Sequence, residues 1–572
     1  MPKDTVHINN KAVAQNTYDA IVVGSGISGG WAAKELCEKG LKTLVLERGR
    51  NVEHIKDYTG TTLDPWELKH HGSRTQQDKK DSPVQSKCYA YKEVSKHFFV
   101  NDEENPYNQV KPFDWIRGYH VGGRSLTWGR QCYRWSDIDF EANTKDGYGV
   151  DWPIRYKDIA PWYDYVEPFV GISGSVEGLP QLPDGKFLPP MEMNCLEKHV
   201  AERIKKEFPD GRRMIIGRSA NHTQKVGDRG PCQYRSKCHE GCPFGGYFSS
   251  NSATLPAAKK TGNLSLLPDS VVHSVIYDDR KGKATGVMVM NKHTLEMTAY
   301  YAKIIFINAS TLGTSHILLN SVSTRFPGGL GNDNGLLGKF IAFHNYRGSV
   351  TATMEGMMDA YYFGRRPCAV MMPNFRNVYK QDSHFQRGYM TFYSATRGGW
   401  SRGVPDDVEL GESLKSALTG AGGWNVYMMM QGETIPKESN HVRLSKDKID
   451  QMGLPELIIS VGYDENDEYV LKDFAEQASE MLHAAGAGDI TFRDSKQSPG
   501  LDIHEMGGVR MGLDPKTSLL NKWNQLHACK NVFVTDGACM TSTGTQNPSL
   551  TFMAITARAV DHAVEELQKR NL

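Results

Sequence analysis

Three cysteines, Cys232, Cys238 and Cys242, fall within one short stretch with Cys-x5-Cys-x3-Cys spacing, beside Gly230-Pro231 and Pro243. Three thiolates this close can hold an iron–sulfur cluster with three protein-linked irons, or a zinc ion with His239 as fourth ligand. Gly241-Cys242-Pro243-Phe244-Gly245 equally fits a loop that binds no metal. Two further polar residues stand in C-terminal loops. His504 precedes Glu505-Met506-Gly507-Gly508, and Asn547 directly precedes Pro548. A neutral imidazole, with an ordinary pKa of about 6.5, accepts a proton near neutrality. An amide beside it can donate to the same oxygen. Near the N-terminus, Gly24-Ser25-Gly26-Ile27-Ser28-Gly29 is followed by Glu47. Glycines there let backbone approach phosphates, and an acid about twenty residues on accepts from a ribose.

These groups need elements to position them. Tyr18-Asp19-Ala20-Ile21-Val22-Val23 reads as a buried strand, Gly30 onward as a helix, and Thr43-Leu44-Val45-Leu46 as a second strand ending at Glu47 and Arg48. Strand, glycine triplet, helix, strand and acid together make the dinucleotide fingerprint. Gly24 permits the tight turn, Gly26 the approach of pyrophosphate, and Gly29 close packing of helix on strand. The helix start offers free amides to phosphate. Glu47 suits NAD and FAD alike. A second glycine-rich element runs from Gly118 through Gly122-Gly123-Arg124-Ser125-Leu126-Thr127-Trp128-Gly129. Far along the chain, Asn531-Val532-Phe533-Val534 is a strand leading to Asp536-Gly537. Asn547 as cap and Pro548 as first residue, followed by Ser549, are expected to open a helix to about residue 567.

Composition narrows the class. The 572 residues are 39% hydrophobic and 23% charged, which suits a globular chain with large cores. The net charge is +1, from 67 basic and 66 acidic residues, so neither nucleic acid nor an anionic membrane is an expected partner. The sequence has no apolar run of spanning length, so no transmembrane segment is expected. The first sixteen residues are polar and carry no export-signal core. Ten cysteines are too few for a disulfide scaffold.

Read together, these blocks resemble the glucose–methanol–choline (GMC) oxidoreductase family. The resemblance is carried by Val23 to Gly29, Glu47, Gly122-Gly123, Asp151-Trp152-Pro153 and Ile159-Ala160-Pro161-Trp162-Tyr163. It continues through Gly338-Lys339-Phe340 to His344, Glu433-Thr434-Ile435-Pro436, Asn440 to Leu444, His504 to Gly508 and Thr535 to Pro548. It implies a Rossmann-type α/β domain assembled from discontinuous segments, plus an α+β substrate domain with a β-sheet. It implies FAD held by Gly24, Gly26, Ile27, Ser28, Gly29, Glu47, Arg48, Gly122, Gly123, Ser125, Leu126, Thr127, Val272 (or Val271), Asp536, Gly537, Asn547, Pro548 and Ser549. The helix start at Pro548 would face the flavin N1–C2 edge. His504 and Asn547 match the catalytic pair, the imidazole taking a hydroxyl proton while hydride passes to flavin N5.

Within the family the chain is similar to the branch of pyranose oxidase, glucoside 3-dehydrogenases and bacterial sugar dehydrogenase flavin subunits. Thr127 stands where pyranose oxidase attaches FAD to a histidine, so FAD is expected to be non-covalent. The cysteine spacing resembles the three-iron segment of bacterial FAD-dependent glucose dehydrogenases. The expected activity is oxidation of a secondary hydroxyl of a sugar or glycoside, C3 being one candidate, with electrons leaving to an external cytochrome or quinone. The alternatives are an oxidase using oxygen and an FAD-containing lyase without redox turnover. Relatives pair with a small subunit bearing an export signal, so this chain is expected to be cytoplasmic, or periplasmic if exported folded with such a partner. The FAD-binding domain is expected over 15–150, 225–345 and 490–572, and the substrate domain over 151–224 and 346–489. Residues 398–423, rich in glycine and serine, are read as a lid over the sugar.

Overall fold

The computed structural model describes residues 16–64, 66–360, 366–381, 384–398, 408–419 and 422–572. Part of the expected lid, 399–407 and 420–421, lies outside them. The helix Glu412–Thr419 within it buries none of its residues.

The first sheet has eight strands. Thr17–Val23 pairs in parallel with Thr43–Leu46 on one side and Met297–Ile307 on the other. Leu264–Leu267 and Cys529–Val534 extend it in parallel at either end. Three distant stretches of chain therefore build one α/β sheet, as expected from the sequence. Its central strands are apolar on both faces, as a parallel sheet between helices requires. On one face the helices Ile27–Glu38 and Ser549–Gln568 close over Val22, Val45, Phe306 and Phe533. The Phe306 and Phe533 rings stack at 4.8 Å.

On the other face lies a larger core with Trp135, Trp152, Tyr163 and Val170. The helix Tyr156–Val170 belongs to it, and Tyr163 Oη lies 2.7 Å from Thr551 Oγ1 of the C-terminal helix. The segment after residue 151 thus packs with the nucleotide sheet before the chain leaves for the second one.

The second sheet has seven antiparallel strands centred on Tyr389–Arg397 and Trp424–Glu433. The strands alternate buried and open residues, as in Gly348–Met354. Helices Cys195–Glu207 and Glu465–Ala484 cover one face, both started by capping boxes, Asn194 with Glu197 and Asp464 with Asp467.

A third sheet, of five strands, decides where the site forms. It joins Met506–Gly508, Lys339–Ala342, His441–Ile449, Pro455–Ser460 and Asn108–Gln109. Its strands come from both expected domains, so it seams them together. Met506 pairs with Ala342, and two residues on, His344 enters the second sheet opposite Glu433. The crossing point sets His504 beside His344.

Candidate active site

One cavity of about 760 Å³ runs from the ends of the parallel strands to the second sheet. At its nucleotide end the wall is mostly backbone. Gly24 has φ +91°, and a Cβ there would lie 2.3 Å from Asn308 O. A Cβ on Gly29 would lie 1.9 Å from Gly24 O, so Gly29 is a packing residue behind the wall. A Cβ on Gly26 meets nothing within 4 Å and would point into the cavity. Gly26 also caps the first helix without a side-chain bond, leaving its amides for an anion. These features fit a bound pyrophosphate.

Glu47 lines the cavity. Its carboxylate accepts from Ser25 N at 3.1 Å, Ser25 Oγ at 2.6 Å and Gly49 N at 3.0 Å. Burial raises its pKa against those bonds. Ser25 Oγ accepts from Gly122 N at 2.9 Å, which ties the two glycine segments together. Gly122 has φ +89° and abuts Asn251, whereas Gly123, Ser125 and Thr127 reach the cavity. Leu126 packs behind it. Val271 and Val272 line the adenosine end with His316 and Leu454, and Ile27 and Ser28 line the wall near Gly26. Arg48 lies 4.6 Å over the Tyr119 ring and 3.6 Å from Asp450.

At the other end the wall is side chain. His504, Asn547, Pro548, Ser549, Asp536 and Gly537 all line the cavity. Asp536 accepts from Thr314 Oγ1 at 2.6 Å and Ala538 N at 3.0 Å, and burial pushes its carboxyl up to about 6. The helix begins at Ser549, with Pro548 in the cap position and no side-chain cap. The capping expected of Asn547 is therefore not made. Asn547 Nδ2 lies 3.4 Å from His504 Nε2 instead.

His504 Nδ1 lies 2.9 Å from His344 Nδ1, and His344 Nε2 lies 2.9 Å from Gly544 O. Burial, then His344 and Arg124, hold the His504 pKa well below its ordinary value. Burial takes His344 to about 4. Asp502 accepts from the backbone N–H of both His344, at 3.1 Å, and His504, at 3.2 Å. Burial, then Glu505, push its carboxyl up to about 7.

Several wall residues were not singled out from sequence: Tyr346, Arg130, Gln131, Phe392 and Met429. Phe392 and Ser394 face Met429 and Tyr427 across the central strand pair. Period-two alternation groups such residues on one face. It cannot say which cavity that face meets.

The cysteine loop abuts this cavity. His239 lines it, with Nδ1 3.2 Å from Thr127 O. Among the described residues no three His, Cys, Asp or Glu side chains converge as metal-ion ligands. This bears on the zinc and the iron–sulfur readings alike: Cys232, Cys238 and Cys242, with or without His239, form no shared ligand point. Cys232 Sγ accepts from Tyr234 N at 3.4 Å and Cys242 Sγ from Gly246 N at 3.3 Å, while Asn221 Nδ2 lies 4.0 Å from Cys238 Sγ. Burial nevertheless pushes the Cys232 thiol up to about 11 and raises that of Cys242.

Comparison with known proteins identifies the family. Family models described as GMC oxidoreductase match residues 18–343 and 436–556. The chain is 26% identical over 565 residues to 2-methyl-1,2-propanediol dehydrogenase of Mycolicibacterium austroafricanum, covering 95% of this chain and 94% of that protein. It is 25% identical over 573 residues to the fructose dehydrogenase large subunit of Gluconobacter japonicus, covering 96% and 98%. Paromamine 6'-oxidase of Streptomyces fradiae is 24% identical over 575 residues, covering 97% and 92%. Among solved structures, pyridoxine 4-oxidase from Mesorbium loti superposes with a TM-score of 0.59 at 15% identity, covering 96% of this chain and 99% of that one. An Aspergillus oryzae formate oxidase variant gives 0.61 at 12%, covering 97% and 99%.

Proposed function

The chain belongs to the GMC oxidoreductase family, and from that premise we propose that it oxidises a secondary hydroxyl of a sugar or glycoside to a ketone. FAD, when bound, supplies the hydride acceptor. The residues of the chain do the rest. The observation that carries the reading is the pair of His504 Nε2 and Asn547 Nδ2, 3.4 Å apart in the cavity wall. His504 takes the hydroxyl proton at Nε2. Asn547 donates to the same oxygen and orients the carbon to be oxidised. Holding both in place removes much of the entropic part of the barrier. The low pKa of His504 keeps the imidazole neutral and ready to accept.

The substrate wall, with Tyr346, Phe392, Tyr427, Gln131 and Ser394, offers aromatic faces and a few polar groups, which suits a pyranose or furanose ring. The relatives named for fructose dehydrogenase and paromamine 6'-oxidase support a sugar or aminosugar. Thr127 lacks the imidazole that a histidyl link to flavin needs, which supports FAD held non-covalently. Cys232, Cys238 and Cys242 would hold a three-iron cluster, which supplies a one-electron outlet toward a cytochrome or quinone. That role fits an assembly with a small subunit and, through it, export of the folded chain.

The test is anaerobic mixing with a panel of D-fructose, D-glucose, methyl glucosides and gluconate. Bleaching of the flavin by a sugar is expected. A flavin that no alcohol or sugar bleaches would overturn the reading. Stoichiometric peroxide in air would replace the dehydrogenase with an oxidase.

A further inference from the structure

His344 lies outside the proton transfer described above, yet it is fully buried and touches the base directly. Its two ring nitrogens have different neighbours. Nε2 faces Gly544 O, which can only accept, so Nε2 carries a hydrogen. The opposite tautomer would set two lone pairs against each other in a site without water contact. A second proton on the ring is opposed by burial. His344 Nδ1 is therefore bare and can only accept. The hydrogen between the two rings then belongs to His504 Nδ1, and His504 Nε2 is left bare toward Asn547 and the cavity.

The Gly544 carbonyl that starts this chain is itself fixed. Gly544 N donates to Glu433 Oε1 at 3.1 Å. Glu433 is gripped by Arg387, which is buried and also binds Asp146 and, at 2.7 Å, Asn143 Oδ1. Asp502 ties the backbones of the two histidines together from the other side. The groups facing His504 are His344, Tyr346, Asn547, Arg124, and its neighbours Asp502 and Glu505. Among them, His344 is the acceptor placed at Nδ1.

We propose that His344 is a positioning residue that fixes His504 in the Nδ1–H tautomer, so that Nε2 is the atom available to the substrate hydroxyl. This rests on the reading of His504 as the base. When the substrate O–H bond breaks and an N–H bond forms at Nε2, the new positive charge lies on His504. The bond from Nδ1–H to His344 then becomes charge-assisted and shorter, and no proton passes beyond His504. A neutral imidazole thus does here what a carboxylate does in other catalytic triads, at lower cost in a buried site.

Three variants test this. H344Q keeps a donor toward Gly544 O and an acceptor toward His504, whereas H344L keeps neither. H344L is expected to lose on the order of 10²-fold in substrate-driven flavin reduction, with KM little changed, less than the roughly 10⁴ of a variant that enforces the wrong tautomer, because leucine frees the tautomer without inverting it. H344Q should stay within about tenfold of wild type. The sugar used is the one from the panel that bleaches the wild-type flavin. Independently of any substrate, the 13C shift of the His504 Cδ2 in histidine-labelled, FAD-loaded protein distinguishes the two neutral tautomers, the signal being assigned by its loss in H504A. Nδ1–H is expected in wild type and H344Q. An Nε2–H tautomer in wild type, or wild-type rates in H344L, overturns the proposal. If H344L does not fold, the wild-type and H344Q spectra decide alone. H504A separates the two readings: wild-type reduction rates there remove the base itself, while an inactive H504A beside a fully active H344L removes only the role of His344.

Discussion

The two ends of the cavity are built on different principles. The nucleotide end is made of backbone: turns, a helix start and glycines whose missing side chains leave room. The reacting end is made of side chains, His344, Tyr346, His504 and Asn547, delivered from separate stretches of chain and held by buried polar networks. A backbone cradle is local and tolerates change outside its few glycines. A side-chain constellation is precise only while its remote supports stand. Mutations should therefore separate binding from chemistry, and the expected effects can be ranked.

The largest effect belongs to the reacting end. His504→Ala should retain FAD yet lose about 10²–10⁴-fold in flavin reduction, the usual contribution of a general base. Asn547→Ala should lose less, because the imidazole remains and only its orienting donor goes. Rapid-mixing rates and the flavin content of the same preparations check both. A His504→Ala enzyme that emptied of FAD while keeping its chemistry would erase the distinction between the two ends.

At the nucleotide end, two nearby glycines should fail differently. Gly29→Ala forces a Cβ to 1.9 Å from Gly24 O, so the helix must shift. Overpacking of that kind costs about 1–3 kcal/mol and should lower the melting temperature of apo and holo protein alike. Gly26→Ala meets no protein atom within 4 Å, so the apo fold should be unaffected while FAD binding weakens on the order of tenfold. Thermal melts with and without added FAD measure both. Equal destabilisation of the apo forms would mean that Gly26 also serves packing.

How much of this was legible in the sequence follows the same division. Gly24 to Gly29, Glu47 and Gly122-Gly123 act through local backbone, and their spacing states their role. His504 and Asn547 were found because their surrounding blocks are distinctive, but the reason Asn547 is free was not. A cap and a substrate ligand look alike until Pro548 is seen in the cap position. His344 was visible only as part of a block. Its role depends on the third sheet setting Met506 against Ala342, a pairing between residues far apart in sequence. The fold class and the use of distant segments were readable from the strand–turn–helix pattern. The seam formed by the third sheet was not, since no local signal says which edge a short strand will join.

The cysteine loop lies beside both ends and should belong to neither. Replacing Cys232, Cys238 and Cys242 together by serine should remove iron and acid-labile sulfide. It should leave sugar-driven bleaching within about twofold, because His504 and Asn547 are untouched, and slow electron transfer to a cytochrome or electrode by tenfold or more. Metal analysis of anaerobically purified protein is the first check. Iron-free, FAD-loaded wild type would make the loop a packing element.

The smallest effect sharpens the account of the base. The proposed base acts as the neutral imidazole, so activity is expected to fall on the acid side as pH drops through the His504 pKa. Burial lowers that pKa most, and the charges of His344 and Arg124 lower it further. Arg124 lies 3.3 Å from Glu505 and its side chain is 28% exposed, so solvent screens part of its field. Arg124→Gln removes a cation that lowers the His504 pKa, so the pKa rises and the acid limb of kcat/KM moves to higher pH. The shift should be at most on the order of one pH unit. Arg124→Lys keeps the charge and should leave the limb in place. Above neutrality, where His504 is unprotonated in all three enzymes, the profiles should run parallel. A limb that stays fixed or moves down in the Gln variant would mean that the Arg124 charge does not help set the pKa of the base.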